Sequence, residues 1–228
     1  MPSSNTPLDD LFRIGNIGGT KAPLVNQLIE EKKSSIFDGP LAALKGKWRE
    51  RQLIQIENTK SNTEWFGPEL SATIKSWKYP LHFIDFETST SALPFHKGMK
   101  PYEMSAFQWS CHTIPYEGAE PLHTEWLNLE PTFPSFKFAE SLMAQIGTTG
   151  TVLMWSPHEN TTLRNIYKQM DRYKYNNPAL KGWLEIIVKL NDKDTGALVD
   201  MAALCLQQYF HPYMNGRTSI KWTLPAVL

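Results

Sequence analysis

The apolar positions along the chain fall into two textures. Up to about residue 75 they are sparse and set at helical intervals. Leu24, Leu28 and Ile29 form one such pattern, and Leu41, Leu44, Trp48 and Leu53 form a second, less regular one. Residues 1–20 are polar and Gly-containing and read as a loose start. From Tyr79 the texture changes. Residues 81–86 are a short apolar run entered by Pro80, which suits a buried central strand. Residues 104–114 and 122–129 carry aromatics, Thr and Leu, and the short connection from Pro115 to Gly118 predicts that they pair antiparallel.

Pro131, Thr132 and Pro134 then introduce a run in which Phe138, Leu142 and Ile146 share one helical face, and Gly147 closes it. Residues 151–155 predict a fourth strand. Residues 159–170, 178–190 and 198–210 predict three further helices, and 215–221 a turn followed by a helix start. A strand that follows a crossover helix lies parallel to a neighbour in its sheet. The expected fold is therefore α/β: a mixed sheet of three antiparallel strands and then a parallel strand, flanked by helices. The expected organisation is a helical extension over residues 1–75 and an α/β domain over 76–228, with no internal repeat.

With 228 residues, 41% of them hydrophobic, the chain can bury a sizeable core, which removes disordered and collagen-like classes. Twenty-three Lys and Arg balance 23 Asp and Glu, and this neutrality argues against holding nucleic acid by bulk charge alone. A local basic groove stays open. The tract Lys45, Lys47, Arg49, Arg51 and Lys60 is placed to touch a phosphate backbone, although the commoner fate of such a run is a solvated helix face. Cys111 and Cys205 stand far apart with no metal-ligand spacing, so both are expected to be buried, reduced packing residues. The polar start has no apolar signal core, and no stretch approaches 18 apolar residues. The expectation is a soluble cytoplasmic protein with no membrane partner.

The segment Phe83-Ile84-Asp85-Phe86-Glu87-Thr88 carries the most chemical information. On a strand, Asp85 and Glu87 project to one face while Ile84 and Phe86 pack on the other. Two carboxylates at the end of an apolar strand are costly to keep charged without a compensating cation. Paired divalent ions anchored by such groups hydrolyse phosphodiesters. The competing reading is turn capping or surface ion pairing. Glu159 follows the fourth strand near a helix start, and is a third candidate ligand or simply a favourable charge at the helix dipole. Its neighbour His158 is a candidate general base or phosphate-orienting group, and Asn160 a weaker polar contact. Asp200 opens the last helical pattern, where capping is the favoured role and metal ligation the weaker one. Ser219 and Lys221 near a helix start are candidate phosphate contacts. Phe86, Phe95, Tyr102 and Trp155 are candidate base-stacking residues, with core packing the commoner use of such side chains.

The run YPLHFIDFET, the following LPFHKGMKPYEMSAFQWSCH, the segment WSPHENTTL and the ending VDMAALCLQQYFHPYMNGRTSIKWTLPAVL together resemble the bacterial family known as domain of unknown function 2779, over roughly residues 79–228. That family is similar to a divergent branch of the DnaQ-like 3′ to 5′ exonucleases, which have a ribonuclease H fold and a DEDD carboxylate set. The resemblance implies that Asp85 and Glu87 match the first exonuclease motif and that Glu159 stands where the second has its acidic residue, usually Asp. It places Asp200 between the second and third motifs, where an Asp is usually not a ligand. The third motif, a Tyr-Cys-x-x-Asp-Thr segment, falls after the last residue of this sequence, so three of the four expected ligands are present.

Three functions compete. The first is a 3′ to 5′ exonuclease that uses Mg2+ or Mn2+ held by Asp85, Glu87, Glu159 and more weakly Asp200. His158 would be an optional base, and Phe86, Thr88, Asn160, Ser219 and Lys221 would contact single-stranded DNA or RNA. The second is a catalytically inactive or truncated ribonuclease H-like module that binds nucleic acid or a protein partner in a larger nucleic-acid-processing assembly. The third is a hydrolase of small substrates, which is weak because the six His residues form no HExxH or HxH pair.

Overall fold

Along the computed structural model, which describes residues 23–39, 44–191, 194 and 196–228, the elements run α1 (Pro23–Glu30), α2 (Arg49–Ser61), β1 (Trp65–Phe66), α3 (Leu70–Ser76), β2 (Leu81–Thr90), β3 (Met104–Ile114), β4 (Leu122–Leu127), α4 (Ser135–Ile146), β5 (Thr151–Met154), α5 (His158–Tyr173), α6 (Pro178–Ile187), β6 (Leu198–Asp200), α7 (Met201–Gln208), β7 (Tyr209–Phe210), a 3-10 turn (Pro212–Met214) and α8 (Ile220–Val227). The expected loose start, the side chain of Leu41 and the rest of residues 1–22 and 40–43 lie outside the described residues. The chain divides into two compact units: residues 75–201, and residues 1–74 together with 202–228.

The unit of residues 75–201 is built on a five-stranded sheet ordered β4-β3-β2-β5-β6. The β2–β3 and β3–β4 pairs are antiparallel, and β2–β5 and β5–β6 are parallel. The hairpin strands stand where the hydrophobic pattern puts them. The fourth expected strand lies beside the first, and beyond it comes a strand that was not anticipated. Residues 198–210 do not form the single expected helix. Leu198, Val199 and Asp200 pair with β5, the helix is confined to α7, and Tyr209 and Phe210 are extended again in β7. A run of three residues has no period of its own, and here the open edge of β5 decides its conformation.

One face of this sheet carries the core. Ile84, Phe86, Ala106, Trp109 and Cys111 from the strands pack against Phe138, Ala139, Leu142 and Ile146 of α4, Leu163, Ile166 and Met170 of α5, and Leu180, Trp183, Leu184 and Ile187 of α6. Phe86 meets Phe138 edge to face with centroids 4.8 Å apart. α4 has the predicted face and stop: Gly147 sits at φ +59°, which a Cβ would oppose, and its N–H returns to the Met143 carbonyl at 3.0 Å. The indole N–H groups stay satisfied. Trp109 donates to Ser141 Oγ (2.8 Å) and Trp183 to the Gly147 carbonyl (2.7 Å). Cys111 and Cys205 are both free and buried.

In the other unit β1 and β7 pair antiparallel, Trp65 opposite Phe210 and Phe66 opposite Tyr209. A small core joins Leu24, Leu28, Ile36, Leu44 and Ile56. The second helical pattern begins later than expected, at Arg49, and buries polar residues as well: Gln52 and Gln55 are both inside. Arg51 is not on a solvated face. Its Nη1 donates to the Tyr209 carbonyl at 2.6 Å, and the guanidinium lies over the Phe210 ring.

Candidate functional site

Asp85 and Glu87 are exposed and alternate along β2 with buried Ile84 and Phe86. Across the antiparallel ladder Asp85 faces Ser110 and Glu87 faces Gln108, and the register slips between Glu87 and Thr88. The parallel side brings in the rest. Phe83 pairs with Leu153, and Met154, the last residue of β5, pairs with Asp200, the last of β6. Asp85 thus lies two residues beyond the β2–β5 pairing, and Asp200 closes the next strand. The two carboxylates lie on β2 and β6, the strands that flank β5, at or just beyond the ends of their parallel pairings with it, the edge at which α/β sheets place ligands.

The turn from β5 into α5 supplies the third. Ser156 adopts φ +86°, a left-handed conformation that costs a non-glycine residue about 1–3 kcal/mol. Its N–H donates to Asp200 Oδ1 at 3.2 Å. α5 then begins at His158, which is exposed, and Glu159 in its first turn is 3% exposed. Glu159 Oε2 is buried with no hydrogen-bond partner. Burial pushes the Glu159 carboxyl up from the ordinary 4.5 to about 7; its own backbone N–H partly offsets this, and the charges of Asp85 and Asp200 add to it. Charges from β2 and β6 therefore reach the Glu159 carboxyl at the start of α5. Glu87 shares the face of Asp85 but is not among the charges acting on Glu159. Among the described residues no three His, Cys, Asp or Glu side chains close around a single point in the way a metal ion requires.

The remaining candidates are dispersed. Phe86 is 4% exposed and belongs to the core, so it offers no face to a base. This corrects its candidacy as a substrate contact: the strand alternation that exposes Asp85 and Glu87 turns Phe86 inward. Thr88 is half-buried at the register slip. Asn160 is buried and spends its amide on the backbone of Lys189: Oδ1 accepts from the Lys189 N–H at 2.8 Å and Nδ2 donates to its carbonyl at 3.2 Å. Phe95 and Tyr102 are exposed, and Trp155 is half-buried. Ser219 and Lys221 belong to the other unit, exposed at the start of α8. Sequence reasoning ranked Asp200 last among the acids, and the structure places it with Asp85 and Glu159. It passed over Ser156, whose only signal was its place between a strand and a Pro-led helix.

The model of one family, Domain of unknown function (DUF2779), matches residues 82–219, more than half of the chain. The chain belongs to this family. No curated protein and no solved structure matches it. Among the described residues no helix is long and apolar enough to cross a membrane.

Proposed function

We propose that this chain is a metal-dependent nuclease of the ribonuclease H-like, DnaQ-like class, acting as a 3′ to 5′ exonuclease on single-stranded DNA or RNA. The observation that carries the reading is Glu159: a buried carboxylate with an unpartnered oxygen, beside two like charges and no basic partner. A buried acid with a strongly raised pKa beside other carboxylates is a recurring mark of catalytic sites. The donor set fits a hard divalent cation, Mg2+ or Mn2+, because it is all oxygen and includes the unpartnered Glu159 Oε2. Asp85, Glu159 and Asp200 would hold the ions, with Glu87 on the same strand face. The ions, when bound, supply Lewis acidity and charge neutralisation for phosphodiester hydrolysis.

The chain's own groups do the rest. Near neutral pH Glu159 retains a proton on a large fraction of molecules and gives it up as a ligand, so activity rises with pH through about 7. Ser156 fixes Asp200 from behind through its N–H. His158, exposed next to Glu159, is placed to accept a proton from an attacking water.

The test follows 5′-labelled single-stranded DNA and RNA with Mn2+, comparing the wild-type chain with Asp85→Asn. A product ladder reduced by a factor of about 100 or more in the variant is expected. A wild-type chain that leaves both substrates intact, or a ladder indifferent to the substitution, overturns the reading. A second reading, a non-catalytic nucleic-acid or protein-binding module, is favoured by the carboxylates' failure to close around one point. Undiminished nucleic-acid binding by the double variant Asp85→Asn, Glu87→Gln, together with a wild-type chain that does not cleave, would select it.

A further inference from the structure

Among the described residues the five-stranded sheet ends on two edges, β6 and β4, and the two differ. β6 is three residues long. β4 has six residues, Leu122 to Leu127, and no proline, lysine or bulge interrupts it. Those are the devices that keep an edge from pairing with another chain. Leu122 and Leu127 at the ends of the strand are exposed, as is Leu129 just beyond it. A cavity of about 600 Å3 opens beside the strand, lined by Trp126 and Leu129 and by Lys137 and Ser141 of α4.

The ladder fixes which backbone groups are left over. The Asn128 N–H donates to the Phe107 carbonyl at 2.8 Å, which continues the β3–β4 register by one step. In an antiparallel pair alternate residues bond across. Leu122, Thr124 and Trp126 therefore turn their N–H and C=O groups to β3, and His123, Glu125 and Leu127 turn theirs outward. Among the described residues β4 has no other neighbour to receive them.

An open edge can take a foreign peptide or a second copy of itself. The sequence of the strand selects the copy. Antiparallel pairing about a two-fold axis at Thr124 keeps outward residues opposite outward residues. It sets His123 against Glu125 of the second copy, and does so twice, an imidazole N–H facing a carboxylate. The His112 ring already lies against the inner side of His123, with centroids 4.6 Å apart, which leaves the outer side for that carboxylate. On the other face Leu122 meets Trp126 of the second copy, again twice, beside the cavity that Trp126 lines. With the axis one residue further on, at Glu125, two like charges would stand opposite each other. Glu125 alone would discourage pairing, and the register about Thr124 matches it.

We propose that β4 pairs with β4 of a second copy, antiparallel about Thr124, to form a homodimer with one continuous sheet. The proposal does not depend on the nuclease reading.

The experiment follows the mass of the full chain by sedimentation equilibrium over a range of concentrations. One strand pair lies at the small end of specific interfaces, so a dissociation constant of about 1–100 µM is expected. Each substitution enters a two-fold interface twice. His123→Glu, which sets glutamate against glutamate at both places, should weaken the dimer at least about tenfold. Leu122→Lys should do the same by removing both contacts with Trp126. The exchange His123→Glu with Glu125→His restores the match and should return the dimer to within about threefold of the wild type. All three positions are exposed, and thermal melting checks that each variant is folded. The proposal falls if the wild-type chain is still monomeric at about 200 µM, which leaves the edge to a foreign strand or to none. It falls if His123→Glu dimerises as the wild type does, which moves the contact to another surface. A double exchange as weak as His123→Glu alone excludes this register and overturns it too. Should His123→Glu not fold, undiminished association by Leu122→Lys overturns it.

Discussion

A glutamate lies against each end of helix α5, Glu159 in its first turn and Glu103 from the loop before β3, and the two are supplied in opposite ways. At its C-terminal end Glu103, with a side chain 8% exposed, accepts from the Arg172 guanidinium, from Gln169 Nε2 at 3.0 Å, from the Tyr173 hydroxyl at 3.3 Å and from the Lys100 N–H at 2.8 Å. Burial alone would raise its pKa, but Arg172, the Lys100 amide and Gln169 outweigh it and hold the carboxyl below its ordinary value. At the N-terminal end Glu159 is the more deeply buried of the two, with an oxygen left bare, and its charged neighbours are acids. One residue type at the two ends of one helix thus serves two purposes. Glu103 binds the loop before β3 to α5 and needs nothing from outside. Glu159 keeps an unpartnered oxygen beside two acids.

The comparison breaks first through activity. Glu159→Gln keeps the shape and removes the charge, and cleavage of labelled single-stranded DNA with Mn2+ should fall about 100-fold or more, whereas Glu103→Gln should leave the specific activity of the folded fraction within about twofold. Stability should divide the other way. Glu103→Gln takes a charge from a buried pair whose Arg172 is partly exposed, and chemical denaturation should show a loss of about 2–3 kcal/mol.

The pH profiles sharpen the contrast. Glu159 has a folded pKa near 7 against 4.5 when unfolded, so the native state binds the extra proton. Stability is intact below about 4.5, declines as pH rises through 7, and stays reduced above. Glu159→Gln should therefore stabilise the chain at pH 8 by roughly 1–2 kcal/mol, once solvent screening is allowed for, and do nothing at pH 4. Glu103, held below its ordinary value, contributes above that value and loses its contribution as pH falls through its folded pKa. Denaturation series at pH 4, 6 and 8 separate the two slopes. The smallest effect expected is thermal: millimolar Mn2+ at pH 7.5 should raise the melting temperature of the wild-type chain by a few degrees and leave Glu159→Gln unmoved.

What could be read in advance follows from the range over which each signal acts. Phe138, Leu142, Ile146 and Gly147 carry a helix and its stop within one stretch of chain, and α4 stands there. Ile84 and Phe86 alternate with Asp85 and Glu87, and the strand turns them to opposite faces. β6 lacked such a signal, because three residues set no period and their conformation depends on the edge of β5. The same dependence hid the role of Asp200. Read alone it opens a helix, and only pairing with Met154 brings it to the charges of Asp85 and Glu159. Arg51 was misjudged for a related reason: a basic tract reads as solvated until a distant carbonyl, that of Tyr209, folds over one of its members.

The pairing of β1 with β7 also fixes an order of events during synthesis. Residues 75–201 form a contiguous unit, and every strand of their sheet has been synthesised before α7 is made. Residues 1–74 must wait for Tyr209 and Phe210 before β1 has a partner and before Arg51 has its carbonyl. Every strand of the sheet is therefore available to pair before Tyr209 and Phe210 are made, while β1 stays unpaired until then. Substitutions at Phe210 should accordingly slow the pairing of β1 with β7 and leave formation of the sheet untouched.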